Sequence, residues 1–262
     1  MSAAPGRPQA SSHRSAQHEG TPVSLSPRPR GCFVTGTDTE VGKTRISAAL
    51  LHWCARQGWR SAGFKPVAAG TELVDGVRVN DDVRTLRLAS SLALTDAEVG
   101  PYQFDTACAP HIAAALEGRA IERGVILQAA NDLAARADVL VVEGVGGFCV
   151  PLGPEWDTAG LAADLGLPVV LVVGLRLGCI NHALLTAEAV RARGLRPVGW
   201  IGNVVDASMP WIDENIACLR ERLWRQHQAP CLGLVPRLSA TGAAAVAAHL
   251  DDAALRTVFA AP

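Results

Sequence analysis

In the segment Val34-Thr35-Gly36-Thr37-Asp38-Thr39-Glu40-Val41-Gly42-Lys43-Thr44, a lysine and a hydroxyl residue directly follow a glycine. An apolar run (Cys32-Phe33-Val34) precedes the glycines, and a helical pattern, Ile46-Ser47-Ala48-Ala49-Leu50-Leu51, follows. Strand, glycine-containing loop, Lys-Thr and helix is the context a phosphate-binding loop requires. The loop N–H groups and the helix N-terminus converge on a phosphate, and the helix dipole adds to the attraction. Lys43 is expected to reach terminal phosphates, and the Thr44 hydroxyl to take one place on a magnesium ion. Five residues, not four, separate Gly36 from Gly42, so Thr37 stands where the usual pattern has its first glycine. The plain alternative is a strand-turn-helix corner.

Other charged or amide side chains recur where apolar runs end. Lys65 follows Ser61–Phe64, and a lysine at the end of a buried strand is costly unless it meets an anion. Beside Lys43 it suggests a phosphoryl group or carboxylate held between two cations. Asn80-Asp81-Asp82 supplies carboxylates or a helix cap. Glu143-Gly144-Val145-Gly146-Gly147 ends the run Val139–Val142, where phosphate-loop enzymes keep a metal-side carboxylate. Leu177-Gly178-Cys179-Ile180-Asn181-His182 opens a helix whose free N–H groups suit an anion, with Asn181 otherwise a cap. Asn203, after Gly199-Trp200-Ile201-Gly202, carries an amide able to read a base edge or to close a turn.

The elements that must position these groups alternate. Strand-length apolar runs fall at Cys32–Val34, Ser61–Phe64, Val139–Val142, Val169–Val173, Val198–Ile201 and Leu232–Val235. Helical patterns lie at Ile46–Gln57, Asp81–Ser90, Ile121–Arg136, Ala183–Arg193, Ile212–Arg225 and Gly242–Thr257. Runs apolar at every position are strands covered on both faces. The alternation predicts an α/β fold, one doubly wound and mostly parallel sheet flanked by helices, spanning residues 31–262. Ligands in such folds sit beyond the carboxyl ends of the strands. Residues 1–30 are rich in Ser, Ala, Pro and Arg, with Glu19 the only acid, and read as a disordered extension.

Composition narrows the function classes. A net charge of −1 with no basic stretch points away from nucleic acid and anionic membrane, and no apolar run reaches membrane-span length. Seven cysteines without ligand spacing argue against zinc and a disulfide framework. Apolar neighbours of Cys32, Cys54 and Cys149 suggest packed, reduced thiols, hence a cytoplasmic location.

The chain resembles the dethiobiotin synthetases from about Gly31 to Leu238. The resemblance rests on Phe33 to Thr44, Lys65-Pro66-Val67, Asn80 to Asp82, Pro101-Tyr102 with Pro110-His111, Val142-Glu143-Gly144, Leu177 to His182 and Gly199-Trp200. It implies a homodimeric, Mg-ATP-dependent cyclo-ligase acting on 7,8-diaminopelargonate and carbon dioxide, with the substrate site at the interface. By resemblance Lys65 holds a substrate carbamate and, with Lys43 and Thr39, stabilises the transferred phosphoryl group. Thr44, Asp82 and Glu143 form the implied magnesium set. The implied nucleotide contacts are Glu40, Val41, Gly42, Lys43, Thr44 and Arg45 in the loop, then Asp82, Glu143, Gly144, Val145 and Gly146. Asn203 and Val204 sit at the base, with Pro236, Arg237 and Leu238 beside them. Gly178, Cys179, Ile180 and Asn181 are the implied pocket for the substrate's distant carboxylate.

Some positions depart from the family pattern. Ala69 stands where many relatives have a serine contacting substrate, so that contact is missing or moves to Thr71. Arg176 replaces a lysine, keeping charge but not geometry. Asn215 stands near a position where relatives place a tyrosine, and the Ala-rich region after Leu238 lacks an acid found in some relatives. The rival class is a partition- or division-type ATPase switch on the same scaffold. Those proteins typically carry a second lysine inside the loop, and Thr37-Asp38-Thr39-Glu40 has none.

Overall fold

The computed structural model describes residues 30–239 and 242–259; the extension expected over residues 1–30 lies outside them except for Arg30. In chain order the elements are β1 (Arg30–Gly36), α1 (Lys43–Arg56), β2 (Ser61–Phe64), β3 (Val67–Ala69), β4 (Glu72–Val74), β5 (Val77–Val79), α2 (Asp81–Ala89), α3 (Asp96–Val99), β6 (Tyr102–Phe104), α4 (Pro110–Leu116), α5 (Arg123–Ala134), β7 (Val139–Glu143), α6 (Thr158–Leu165), β8 (Val169–Leu175), α7 (Cys179–Ala192), β9 (Pro197–Val204), α8 (Ile212–His227), β10 (Cys231–Val235), α9 (Ala243–Ala247) and α10 (Asp252–Val258). Six strands form one sheet in the order β10-β9-β8-β1-β7-β2, all pairs parallel. β1 lies between β7 and β8, and the sheet is wound outward on both sides of it. The loop leaving β1 therefore opens at a switch point of the sheet, where ligands bind.

The all-apolar runs became this sheet because both faces are covered. β7 and β8 are buried at every residue. Small residues let the layers close: a Cβ on Gly63 would lie 2.9 Å from Leu51 Cδ1 on α1. The outer edge of β2 does not leave its N–H groups bare. Ser61 N–H donates to Ser91 Oγ at 2.7 Å and Gly63 N–H to Ser90 Oγ at 2.9 Å, which blunts that edge against further strand pairing.

Beyond the expected runs the chain also forms α3, α4, α6 and the β3–β6 pair, and two further differences have a clear physical reason. The Ala-rich stretch Gly242–Thr257 is not one helix but α9 and α10. Between them Leu250 bridges to Gly233 on the edge strand β10, and Asp251 N–H donates to Leu232 O at 2.8 Å. Sheet pairing overrides helix propensity there, and the Asp251 carboxylate restarts the helix by accepting from Ala254 N–H. The second difference is a hairpin, β4–β5, turned by Asp75 (φ 50°) and Gly76 (φ 79°). Two successive positive φ values make the tight turn that matches strand twist.

The C-terminal end closes the far side of the domain. Phe259 packs 5.5 Å from the Trp53 ring and 6.5 Å from Trp59. Trp53 Nε1 donates to Asp252 on α10 at 2.8 Å. Phe259 is fully buried, so Phe259→Ala is expected to lower unfolding free energy by about 3–5 kcal/mol. Urea denaturation of that variant checks it; a loss below about 1 kcal/mol would mean that the aromatic cluster is peripheral to the fold.

Candidate active site

The β1–α1 loop bends on two left-handed residues, Glu40 (φ 59°) and Gly42 (φ 92°). At Gly42 the requirement is double, because a Cβ there would also lie 2.3 Å from Asn203 Nδ2. Asn203, at the end of β9, donates to Val41 O at 2.9 Å and so ties the loop to the neighbouring strands. Thr37 N–H donates to Val172 O at 3.0 Å. The extra-residue loop is thus held by backbone and amide contacts in place of a first glycine.

Lys43 is buried at the start of α1, its ammonium donating to Asp38 O at 3.0 Å. Burial, then the nearby charge of Lys65, pushes the Lys43 pKa down to about 8. An anion at the loop would relieve both effects.

Lys65 meets its anions as the strand-end argument required. Its Nζ donates to Glu143 Oε1 at 2.6 Å, to Asp82 Oδ2 at 2.8 Å and to Gly144 O at 3.3 Å. Burial works to lower its pKa, but the charges of Glu143 and Asp82 and the hydrogen bonds to both outweigh it and hold the ammonium above the usual lysine value. Thr44 Oγ1 lies 2.6 Å from Asp82 Oδ1 and 2.8 Å from Glu143 Oε1, within reach of both carboxylates for its single O–H. Burial raises the Asp82 carboxyl, yet the Lys65 charge and the bonds from Lys65 and Thr44 bring it below the ordinary carboxylate value.

Three elements converge here: the end of β2 brings Lys65, the end of β7 brings Glu143, and the first turn of α2 brings Asp82. The cap of α2 is Asn80, whose Oδ1 accepts from Asp82 N–H and Val83 N–H. That settles the open reading of this triplet. Asn80 caps, Asp82 faces Thr44 and Lys65, and Asp81 lines a separate space.

Thr44, Asp82 and Glu143 offer only hard oxygens. Glu143 is fully buried, and its Oε2 has no hydrogen-bond partner among the described residues. No group of three or more His, Cys, Asp or Glu side chains forms a metal cage among them. That donor set fits magnesium, which binds through one or two carboxylates and completes its shell with phosphate and water.

Thr39, Glu40, Gly42, Lys43, Thr44, Arg45, Lys65, Asp82, Glu143, Val145 and Gly146 all line one cleft of about 920 Å³. An adjoining space of about 390 Å³ is lined by Glu40, Gly42, Arg45, Asn203, Val204, Arg237 and Leu238. Val41 and Gly144 contribute carbonyl oxygens at the margin, to Asn203 and Lys65. Pro236 lines neither space. Thr71 also lies outside both, its hydroxyl donating to Asp105 Oδ1 at 2.6 Å. Gly178, Cys179, Ile180 and Asn181 start α7 away from the cleft; Gly178 (φ 94°) is the cap, Cys179 is buried and Asn181 is exposed. Cys32 and Cys54 are buried thiols as expected, whereas Cys149 is exposed, standing in the loop after β7 beside the buried Phe148.

Two parts of the cleft were not foreseen. Asp38 ion-pairs with Arg176, accepts from Thr39 N–H at 2.8 Å and offers its carbonyl to Lys43. Its signal was readable, since a carboxylate inside a Thr-rich loop tends to bond nearby backbone. The second is Ala107, Cys108 and Ala109, which line the cleft together with Ala69 and Pro110, both singled out in the sequence; small apolar residues such as these three carry no chemical signature in a sequence.

A parallel sheet with this loop and this carboxylate pair defines a phosphate-loop nucleotide-hydrolysing fold, and the family model described as an AAA domain matches residues 30–245. Within that class the chain belongs to the dethiobiotin synthetase family. It is 54% identical over 224 residues to the ATP-dependent dethiobiotin synthetase BioD of Ralstonia nicotianae (strain ATCC BAA-1114 / GMI1000), covering 86% of this chain and 96% of that protein. Among solved structures, the septum site-determining protein MinD of Pyrococcus horikoshii OT3, complexed with Mg-ADP, superposes with a TM-score of 0.50 at 15% identity, covering 87% of this chain and 96% of that one. That likeness shows the shared scaffold alone, and the division-type switch is not the favoured reading. Among the described residues no helix is long and apolar enough to cross a membrane.

Proposed function

We propose that the chain closes the cyclic urea of dethiobiotin from 7,8-diaminopelargonate and carbon dioxide, using ATP. The observation that carries the reading is the meeting of Lys65, Thr44 and two carboxylates in one cleft beside Lys43, in a chain of this family. One substrate amine takes up carbon dioxide as a carbamate, losing a proton. A carbamate oxygen attacks the γ-phosphate and ADP leaves. The second amine attacks the carbonyl carbon of the mixed anhydride, closing a five-membered ring and expelling phosphate.

Lys65 holds the carbamate, and with Lys43 and Thr39 it stabilises charge on the transferred phosphoryl group. Ala107, Cys108, Ala109 and Pro110 line the same cleft and suit the hydrocarbon part of the diamine. Both amines belong to one molecule, so positioning supplies much of the rate. Thr44, Asp82 and Glu143 would hold magnesium, which when bound neutralises phosphate charge. The account is tested by supplying oxygen-18 carbon dioxide. Label appears in the released phosphate, because the attacking carbamate oxygen leaves with it; unlabelled phosphate would rule out this order of bonds.

The working unit is a homodimer in the cytoplasm. What supports the dimer, besides family resemblance, is that the start of α7 lies outside the cleft of its own protomer, beside the exposed apolar side chains Leu177, Leu185 and Trp211. A second copy seated there brings its α7 N–H groups to the carboxylate end of the diamine. Asn181→Ala is expected to raise KM for the diamine with little change in KM for ATP. Equal effects on both would remove Asn181 from the carboxylate pocket.

A further inference from the structure

The proposed reaction brings two amines into the cleft. One becomes a carbamate and meets Lys65; the other stays free until it attacks. An aliphatic amine is an ammonium near neutral pH, as lysine is, so the two lysines cannot hold it. Among the described residues four carboxylates line the cleft: Asp38, Glu40, Asp82 and Glu143. Asp82 and Glu143 face Lys65 and Thr44. Glu40 also lines the adjoining space at Asn203, on the base side, whereas Asp38 lines the cleft and not that space.

The loop places Asp38 at the phosphate end. Its carbonyl accepts from the Lys43 ammonium at 3.0 Å, so its backbone stands where the terminal phosphates are held. Its carboxylate is 47% exposed. Oδ1 accepts from Thr39 N–H at 2.8 Å and Oδ2 from Arg176 Nη2, which leaves part of the roughly four acceptor positions of a carboxylate open. Arg176 does not line the cleft, so it holds the carboxylate from outside. Its own carbonyl accepts from Cys179 N–H at 3.0 Å, which anchors the pair between the end of β8 and the start of α7. We infer that Asp38 binds the second amine of the diamine, accepting its N–H so that the nitrogen waits beside the mixed anhydride. Arg176 sets the direction of that carboxylate. The inference rests on the reading of the cleft as the diamine site.

The test is calorimetric titration of wild type and Asp38→Asn with 7,8-diaminopelargonate and with the two monoamines, 7-amino- and 8-aminopelargonate. Magnesium, ADP and bicarbonate are present, so a carbamate can form but no phosphoryl group is transferred. Asparagine keeps an oxygen for Thr39 N–H and loses only the charge. Wild type is expected to bind the diamine at least roughly 10-fold more tightly than either monoamine, the effect of a charge-assisted hydrogen bond. Asp38→Asn binds the diamine no better than one of the monoamines, while its affinity for that monoamine and for ADP, and its melting temperature, hold. If the asparagine variant does not fold, Asp38→Ser takes its place. A variant that prefers the diamine as strongly as wild type does overturns the inference alone. So does a parallel loss of diamine and both monoamines, which would make Asp38 a latch for the loop. A wild type that binds no diamine takes the reading of the substrate down with it.

Discussion

Lys65→Gln is expected to lower kcat by roughly 100-fold or more, the usual cost of removing one donor aimed at developing charge. A carbamate is a weak, acid-labile anion, and a fixed ammonium both favours its formation and offsets repulsion from the γ-phosphate as oxygen attacks. The interaction strengthens as charge develops, so the loss falls on kcat more than on ATP binding. Stability will fall as well. Lys65 is the cation between Glu143 and Asp82, and breaking a buried pair costs about 3–5 kcal/mol. The two effects separate when turnover is expressed per folded molecule and the melting temperature of the same sample is measured. A variant that melts early but turns over normally would make Lys65 a structural cation only.

Glu143→Gln should be comparably severe, cutting kcat by roughly 100-fold while nucleotide binding changes far less. The substitution keeps volume and an oxygen for Thr44 and Lys65, but it removes the charge at the bare Oε2. The magnesium concentration giving half-maximal turnover is therefore expected to rise by roughly 10-fold or more. Because Glu143 and Lys65 touch at 2.6 Å, the double variant should cost less than the two single losses combined. Full additivity, or unchanged turnover in Glu143→Gln, would place the carboxylate outside the reacting site.

The charged ends of apolar runs were the legible part of this chain. Lys65 and Glu143 follow runs that can only be buried strands, and an ionised group there has few structural explanations. The phosphate loop was equally plain despite its missing first glycine, because helix and strand frame it. Asp81 and Asp82 could not be told apart locally; the choice depends on Asn80 taking the cap, which sets the rotation of α2. Asp157 before Thr158 and Gly166 after Leu165 are readable caps for α6, which the apolar pattern alone did not separate from its flanks. The split of α9 from α10 was not readable in principle. It is fixed by Leu250 returning to β10, a contact some 17 residues away in sequence that overrides an Ala-rich helical pattern.

Thr71 shows how far chemistry at one position carries without geometry. A hydroxyl two residues from Ala69 is a reasonable stand-in for a missing serine, yet it is bonded to Asp105 outside the cleft, while Ala69 itself lines the wall. The start of α7 is the complementary case. Cys179 N–H already donates to Arg176 O at 3.0 Å, and none of residues 178–181 lines the cleft, so the expected carboxylate contact has no counterpart in the cleft of the same chain.

The most direct measurement is ADP release with ATP and magnesium present, adding 7,8-diaminopelargonate and bicarbonate singly and together, with ring product quantified in the same samples. Because the γ-phosphate is attacked by an oxygen that exists only once diamine and carbon dioxide have combined, ADP should form only with both, one per dethiobiotin. Steady ADP release without diamine, or release unmatched by ring closure, would contradict the assignment and return the chain to the nucleotide-switch class.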